Sequence, residues 1–222
     1  MTEKMNEAKE FWDKSAGNYD KTEERFEYIH RTARAKAKKY LKTSDIVLDF
    51  GCGTGTVACE FADSVREIHA IDISTGMIEL AKKKVAAGNV ENVNFMTTDI
   101  FDERHKKGSF DVVLAFNMLH TVPDPQKIVQ RTHELLKPDG TFISVTPCLR
   151  DKMSFAVNAQ IQLVRLLSAT GIIPIPIRRL KSSELDDLMS GGNFETIDTE
   201  SIYQGASSYF MAAKKAQESP EV

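Results

Sequence analysis

Five short runs frame what this chain can become: Ile46–Phe50 (IVLDF), Glu67–Ile71, Asn94–Thr98, Phe110–Phe116 (FDVVLAF) and Thr141–Thr146 (TFISVT). They are rich in β-branched and apolar residues, and the fourth is apolar almost throughout. Helical stretches separate them, from Thr56 to Ala62, from a Ser74 cap to about Ala87, and from Pro125 to the stop at Lys137-Pro138-Asp139-Gly140. Apolar strands alternating with helices imply a parallel sheet covered on both faces. Two further runs, Phe194–Ile202 and Ser208–Ala213, are joined at Gln204-Gly205, too short a link for a parallel crossover, so this last pair is expected to be antiparallel. Ahead of the strands, residues 5–41 are rich in Ala, Lys, Arg and Glu, lack proline, and are expected to be helical. The tail 216–222 is expected to fray.

At 222 residues the chain suits one α/β domain with a modest cap, and 41% hydrophobic against 27% charged residues allows a sizeable core. A formal net charge of −3 disfavours a polyanionic partner such as nucleic acid. The basic run Arg31, Arg34, Lys36, Lys38, Lys39 and Lys42 is spread around a helix and suits a solvated face. The opening MTEKMNEAKEFWDK has charges where a secretion signal needs an apolar run. The longest apolar tract, residues 161–177, is broken by Gln162, Arg165, Ser168, Thr170, Gly171 and two prolines, too often for a spanning helix. Cys52, Cys59 and Cys148 cannot all pair, form no CxxC, and lie in no metal-binding spacing. A reducing cytoplasm and no metal are the expectations.

The turn after the first strand reads Asp49-Phe50-Gly51-Cys52-Gly53-Thr54-Gly55 and opens a helix. Glycines there permit positive φ and let the backbone approach a ligand beside a helix N-terminus. The dinucleotide pattern G-x-G-x-x-G needs glycine at position 56, where Thr56 stands, which ranks a dehydrogenase lower. Asp49 beside this loop suits a ligand with positive charge and would repel a pyrophosphate. Asp72 ends the second strand, where a carboxylate can accept from both ribose hydroxyls, and Asp99 ends the third, where it could meet an adenine amino group. Each acid alone fits a turn or cap. Three in succession at the C-terminal ends of parallel strands mark the edge where open α/β sheets bind ligands.

The ordered set DFGCGTG, AIDIS, TTDIFD, FDVVLAFNMLH and LLKPDGTFISVTP resembles the motifs of the class I S-adenosylmethionine-dependent methyltransferases. FWDKSAGNYD resembles the N-terminal motif of their quinone-methylating and other small-molecule branches; the likeness spans residues 11–147 and is weak over 148–192. It implies an α/β, Rossmann-like fold: seven strands, mostly parallel with the last antiparallel, helices on both faces, an N-terminal helical lid and an insertion after strand 5. Within one domain over 1–222 it implies a lid (1–42), a cofactor-binding core (43–147), an acceptor-cap insertion (148–192) and the last two strands (193–215). It also implies S-adenosylmethionine as cofactor, S-adenosylhomocysteine as product, and residue roles. Gly51, Gly53 and Gly55, with Cys52 between them, form the loop under the methionine and ribose, and Asp49 lies near the amino group. Asp72 takes the ribose hydroxyls, Ile73 and Met77 flank the adenine, and Asp99 with the Ile100 backbone reads its edge. Phe116 and Asn117 lie near the methionine, and Tyr19 covers the sulfonium.

Methyl transfer from a sulfonium is an in-line displacement, so alignment and exclusion of water are the protein's main contribution. A base is needed only when the acceptor keeps its proton, and His120, four residues past Phe116, is the best-placed candidate; its alternative is a hydrogen bond to a loop. His30 and His133 suit helix faces, His69 a strand and His105 an exposed loop. Cys52 suits a small residue in a tight turn better than a nucleophile. The insertion carries Met153, Phe155, Val157, Ile161, Leu163, Val164, Leu166 and Leu167 and then IIPIPI. A helix on the sheet explains its first half; the proline-spaced isoleucines suggest an extended wall lining an apolar acceptor's pocket, or touching a membrane surface or a second subunit, with a monomer and a homodimer both left open. The leading expectation is transfer to an O, N, S or C atom of a small, largely apolar acceptor. An RNA or protein acceptor, and a catalytically silent cofactor-binding subunit, are the alternatives; Asn117-Met118-Leu119-His120 in place of an exocyclic-amine tetrapeptide counts against the first.

Overall fold

The computed structural model describes residues 3–170 and 177–216. Residues 171–176, which hold most of the IIPIPI run, and the tail from 217 lie outside it. The N-terminal region is helical as expected but segmented: α1 (Glu3–Ser15), α2 (Tyr19–Glu23) and α3 (Glu27–Ala37) are separated by 3-10 turns at Ala16–Asn18 and Glu24–Phe26. Gly17 and Asn18, poor helix formers, sit at the first break. Strand and helix then alternate: β1 (Ile46–Phe50), α4 (Thr56–Phe61), β2 (Glu67–Asp72), α5 (Thr75–Gly88), β3 (Val93–Thr97), β4 (Phe110–Phe116), α6 (Pro125–Leu135) and β5 (Leu136–Pro147). Two helices follow, α7 (Phe155–Ala169) and α8 (Ser182–Gly191), and then β6 (Phe194–Tyr203) and β7 (Ser207–Lys215).

The sheet has the order β3-β2-β1-β4-β5-β7-β6. The five strands β3, β2, β1, β4 and β5 pair in parallel, while β7 runs antiparallel to both β5 and β6. Alternate residues feed two cores, because a strand's side chains alternate between faces. Val47, Ile68, Leu114 and Val145 pack with Ile29 and Ala33 of α3 and with Ala58 and Phe61 of α4. Leu48, Ile71, Val113 and Phe142 pack with Ile128 and Val129 of α6 and with Leu185 and Met189 of α8.

Local chemistry sets the helix ends. Ser74 Oγ accepts from Met77 N at 3.0 Å to cap α5, and Asp124 caps α6 with Pro125 in its first turn. One boundary differs from expectation: α6 ends at Leu135, before the Lys-Pro-Asp-Gly segment, and β5 begins at Leu136 rather than Thr141. Pro138 drives Lys137 away from the helical region. Asp139 then adopts φ 62°, and the pairing of β4 with β5 shifts register between Phe110 and Val112. None of the described helices is long and apolar enough to cross a membrane.

Candidate active site

A cavity of about 610 Å³ opens along the C-terminal ends of β1, β2, β3 and β4. Each strand delivers wall residues as it leaves the sheet: Phe50, Gly51 and Gly53 at and beyond the end of β1, Asp72 and Ile73 at that of β2, Asp99 and Ile100 beyond β3, and Phe116, Asn117 and Met118 at and beyond the end of β4. Met77, one turn into α5, completes the floor, and Met5, Ala8, Trp12 and Tyr19 close the cavity from the N-terminal helices. Of the insertion's described residues between Met153 and Ile177, Ser168 alone lines the wall, with Arg178 just beyond.

The glycine loop is held by two backbone bonds to one carbonyl, from Gly51 N (2.8 Å) and Cys52 N (3.0 Å) to Ile71 O. Gly51 has φ 71°, and a side chain there would overlap the Met118 sulfur. The positive φ is what favours glycine here, since the flexible Met118 side chain could move aside. Asp72 ties the same loop to its own turn, accepting from Gly53 N at 3.0 Å and Ser74 N at 2.8 Å. Burial raises its pKa, and those two N–H groups work against the rise. Asp99 accepts from Phe101 N at 2.7 Å in the turn after β3. Asn117 holds a left-handed backbone (φ 54°) at the end of β4, an uncommon conformation that asparagine tolerates.

Four of the residues singled out from the sequence do not reach this wall. Asp49 is buried beneath the loop, its Oδ2 without a partner. Burial, with the nearby Asp72 charge, pushes its carboxyl up to about 7. Gly55 has φ 77° and packs so closely on Ala81 and Phe95 that it serves helix–sheet packing. Cys52 is buried, and burial raises its thiol pKa, which suits a small core residue and not a nucleophile. His120 has Nδ1 buried and without a partner, while its carbonyl accepts from Arg178 N at 2.9 Å. Burial lowers its pKa to about 4, against the opposing effect of Glu23.

The tertiary structure adds groups that sequence spacing left out. Asp13 of α1 accepts from Ser74 Oγ at 2.6 Å and Gly76 N at 2.9 Å, and Asp20 of α2 accepts from Thr54 Oγ1 at 2.5 Å and Lys84 at 3.1 Å. Both acids fasten the N-terminal helices to loops that form the floor. Glu23 Oε2 accepts from Asn117 Nδ2 at 3.3 Å and lies 3.2 Å from His30 Nε2. The motif FWDKSAGNYD contains Trp12, Asp13 and Asp20 and was a usable signal for them; nothing in sequence tied His30 to β4. Burial raises the Tyr19 pKa further above its ordinary value, aided by the charges of Glu23, Asp72 and Asp20, so its phenol stays protonated.

A family model described as a methyltransferase domain matches residues 41–186. The chain is 33% identical over 153 residues to a ubiquinone biosynthesis O-methyltransferase of Haemophilus ducreyi, a match covering 66% of this chain and 62% of that protein. It is 29% identical over 150 residues to a demethylmenaquinone methyltransferase of Lactococcus lactis, covering 64% of this chain and 60% of the relative. The matched region is thus under two thirds of either relative's length. Among solved structures, the phosphoethanolamine N-methyltransferase 2 of Haemonchus contortus in complex with S-adenosyl-L-methionine superposes with a TM-score of 0.67 at 18% identity, over 84% of this chain and 53% of that one.

Proposed function

The chain belongs to the class I S-adenosylmethionine-dependent methyltransferases, and from that premise we propose that it methylates a small, apolar acceptor of the quinone-precursor kind. One observation carries the reading: a single cavity joins the carboxylates of Asp72 and Asp99 to a largely apolar wall that includes Phe116, Met118, Val122 and Ile128. Polar recognition and an apolar acceptor would then share one space. The names of the two relatives support an acceptor of this kind.

The residues fit the cofactor. Gly51 and Gly53 leave the loop without side chains at the wall, Asp72 offers a half-buried carboxylate with lone pairs to spare, and Asp49 beneath them lacks a partner for Oδ2. When bound, S-adenosylmethionine supplies an electrophilic methyl group that needs no further activation. In this proposal Asp72 takes the ribose hydroxyls, Ile73 and Met77 hold the adenine, and Asp99 and Ile100 N read its edge. Gly51, Gly53, Phe116 and Asn117 position the methionine portion, with Asp49, Cys52 and Gly55 supporting the loop from below. Residues 1–42 act as a lid whose Tyr19 excludes water, 43–147 hold the cofactor, 148–192 cap the acceptor, and 193–215 complete the sheet.

His120 is the proposed base where the acceptor keeps its proton, a role that requires ligand binding to open a path from the cavity to its buried Nδ1. Its depressed pKa leaves the imidazole neutral and able to accept at pH 7, though only weakly basic. His120→Asn is expected to lower kcat by roughly a hundredfold at most, with cofactor affinity unchanged. Equal kcat in the variant would remove the role.

The function is tested by incubating the protein with methyl-labelled cofactor and fractionated cell extract. Label in the lipid-soluble small-molecule fraction is the expected result; label in RNA or protein overturns the acceptor class. Calorimetry in the presence of chelator is expected to show S-adenosylhomocysteine binding, and NADH binding in its place would overturn the cofactor assignment.

A further inference from the structure

Helix α7 carries apolar side chains on two opposite faces. Val157, Ile161 and Val164 are half-buried towards the body of the protein. Phe155, Leu163 and Leu166 are 88%, 58% and 63% exposed, with Ala156 and Ala159 exposed between them. At about 100° per residue, these five positions fall on one side of the helix. A helix with two apolar faces packs one on its own protein and offers the other to a second apolar phase, and the described residues place nothing over this stripe.

Charge identifies the phase. Between residues 148 and 181 stand six basic residues, Arg150, Lys152, Arg165, Arg178, Arg179 and Lys181, against the single acid Asp151, in a chain whose formal net charge is −3. Arg150 is paired with Glu184 of α8, whose Asp186 and Asp187 follow, which leaves the others to set the charge beside α7. Lys152, Arg165, Arg178 and Lys181 are exposed. Exposed apolar side chains flanked by cations are the pattern of a helix that lies in the interface of an anionic bilayer. A two-fold contact between copies through this face would instead set the same cations against one another.

We propose that α7 docks the protein on an anionic lipid surface, with the Phe155–Leu163–Leu166 stripe in the headgroup–acyl boundary. The last turn of α7 contributes Ser168 to the cavity wall, followed by Arg178, and the middle of the helix meets the lid where Arg25 donates to Gln160 at 3.1 Å. Docking therefore sets the cavity mouth at the lipid boundary. An apolar acceptor dissolved in the bilayer then reaches the site without crossing water, a consequence that rests on the acceptor class proposed above.

Flotation of the full chain with phosphatidylcholine vesicles, with and without phosphatidylglycerol, tests this. Wild type is expected to float only with the anionic vesicles, and less as salt rises. Phe155→Ser/Leu163→Ser/Leu166→Ser is expected to cut partitioning roughly tenfold or more, because each exposed side chain contributes through buried apolar area. Its circular dichroism and S-adenosylhomocysteine affinity should match wild type. Lys152→Glu/Arg165→Glu, which leaves the apolar stripe intact, should weaken binding to anionic vesicles only. A wild type that does not float, or a triple variant that floats like wild type, overturns the proposal. A non-floating wild type whose dimer the triple variant splits would make the stripe a subunit contact instead. Methyl label in RNA or protein with flotation intact would overturn the acceptor class and leave the docking surface standing.

Discussion

Asp72 does two jobs with one carboxylate. It clamps the glycine loop through Gly53 N and Ser74 N, and in the proposed mechanism it also takes the ribose hydroxyls. Asp72→Ala should therefore weaken S-adenosylhomocysteine binding by roughly 1.5–3 kcal/mol, measured by calorimetry, since a charge-assisted acceptor is lost. Asp49 poses the opposite case. Its folded pKa of about 7 stands above the ordinary value of 3.8, so between those values the folded state holds a proton that the unfolded state has released. Its contribution to stability is thus greatest at low pH and is lost as pH rises from about 4 to about 7. Asp49→Asn should raise the melting temperature of the ligand-free protein at pH 7 and above, with the advantage shrinking towards pH 4. The same variant should bind S-adenosylhomocysteine more weakly, because the carboxyl proposed to support the glycine loop from below is gone. Gain of stability with unchanged affinity would remove Asp49 from the support of the binding loop.

At the scale of elements, the lid depends on a latch. Ser74 Oγ caps α5 by accepting from Met77 N while donating to Asp13 of α1, so one side chain couples a helix start to the closure of the cavity. Burial works to raise the Asp13 pKa, but the bonds from Lys9, Ser74 and Gly76 outweigh it and hold the carboxyl below its ordinary value. The latch is then at full strength above about pH 4 and weakens as pH falls through the depressed pKa. Asp13→Ala should speed hydrogen exchange over residues 11–30 at neutral pH and weaken ligand binding. In wild type, S-adenosylhomocysteine should slow exchange over the same residues. Exchange that ignores both the substitution and the ligand would leave α1 and α2 as fixed structure rather than a lid.

Over the whole molecule, the cavity draws on four strand ends and the N-terminal helices, so a ligand there should bind the folded state only. At a hundred times its Kd, S-adenosylhomocysteine should add about 2.7 kcal/mol to unfolding and raise Tm by roughly 5–10 °C. A thermal shift assay reads this directly, and no shift at saturation would place the ligand outside the cavity. The acids of β6 also matter at this scale: Asp198 and Glu200 on the edge strand bind Lys36 of α3, tying the N-terminal helices to the far side of the sheet.

What the sequence determined by itself was the order of elements and the edge of the sheet where the cavity opens. Apolar strands such as FDVVLAF, separated by capped helices, leave a parallel sheet as the way to bury both faces, and Gly51, Asp72 and Asp99 fall at strand ends wherever the sheet is drawn. These signals are local, carried by periodicity, capping and turn chemistry. What only the tertiary structure decided was depth and orientation. Asp49 and Gly51 are two residues apart, yet one is sealed under the loop and the other lies on the wall. His120 follows β4 as expected but lies outside the cavity's lining with its Nδ1 buried, and His30, on a helix far off in sequence, comes to rest beside Asn117. The apolar residues of α7 were legible as a cluster, but their division into an inward and an outward face was not. Which side of a helix meets the protein depends on what the rest of the chain packs against it, and no local pattern encodes that contact.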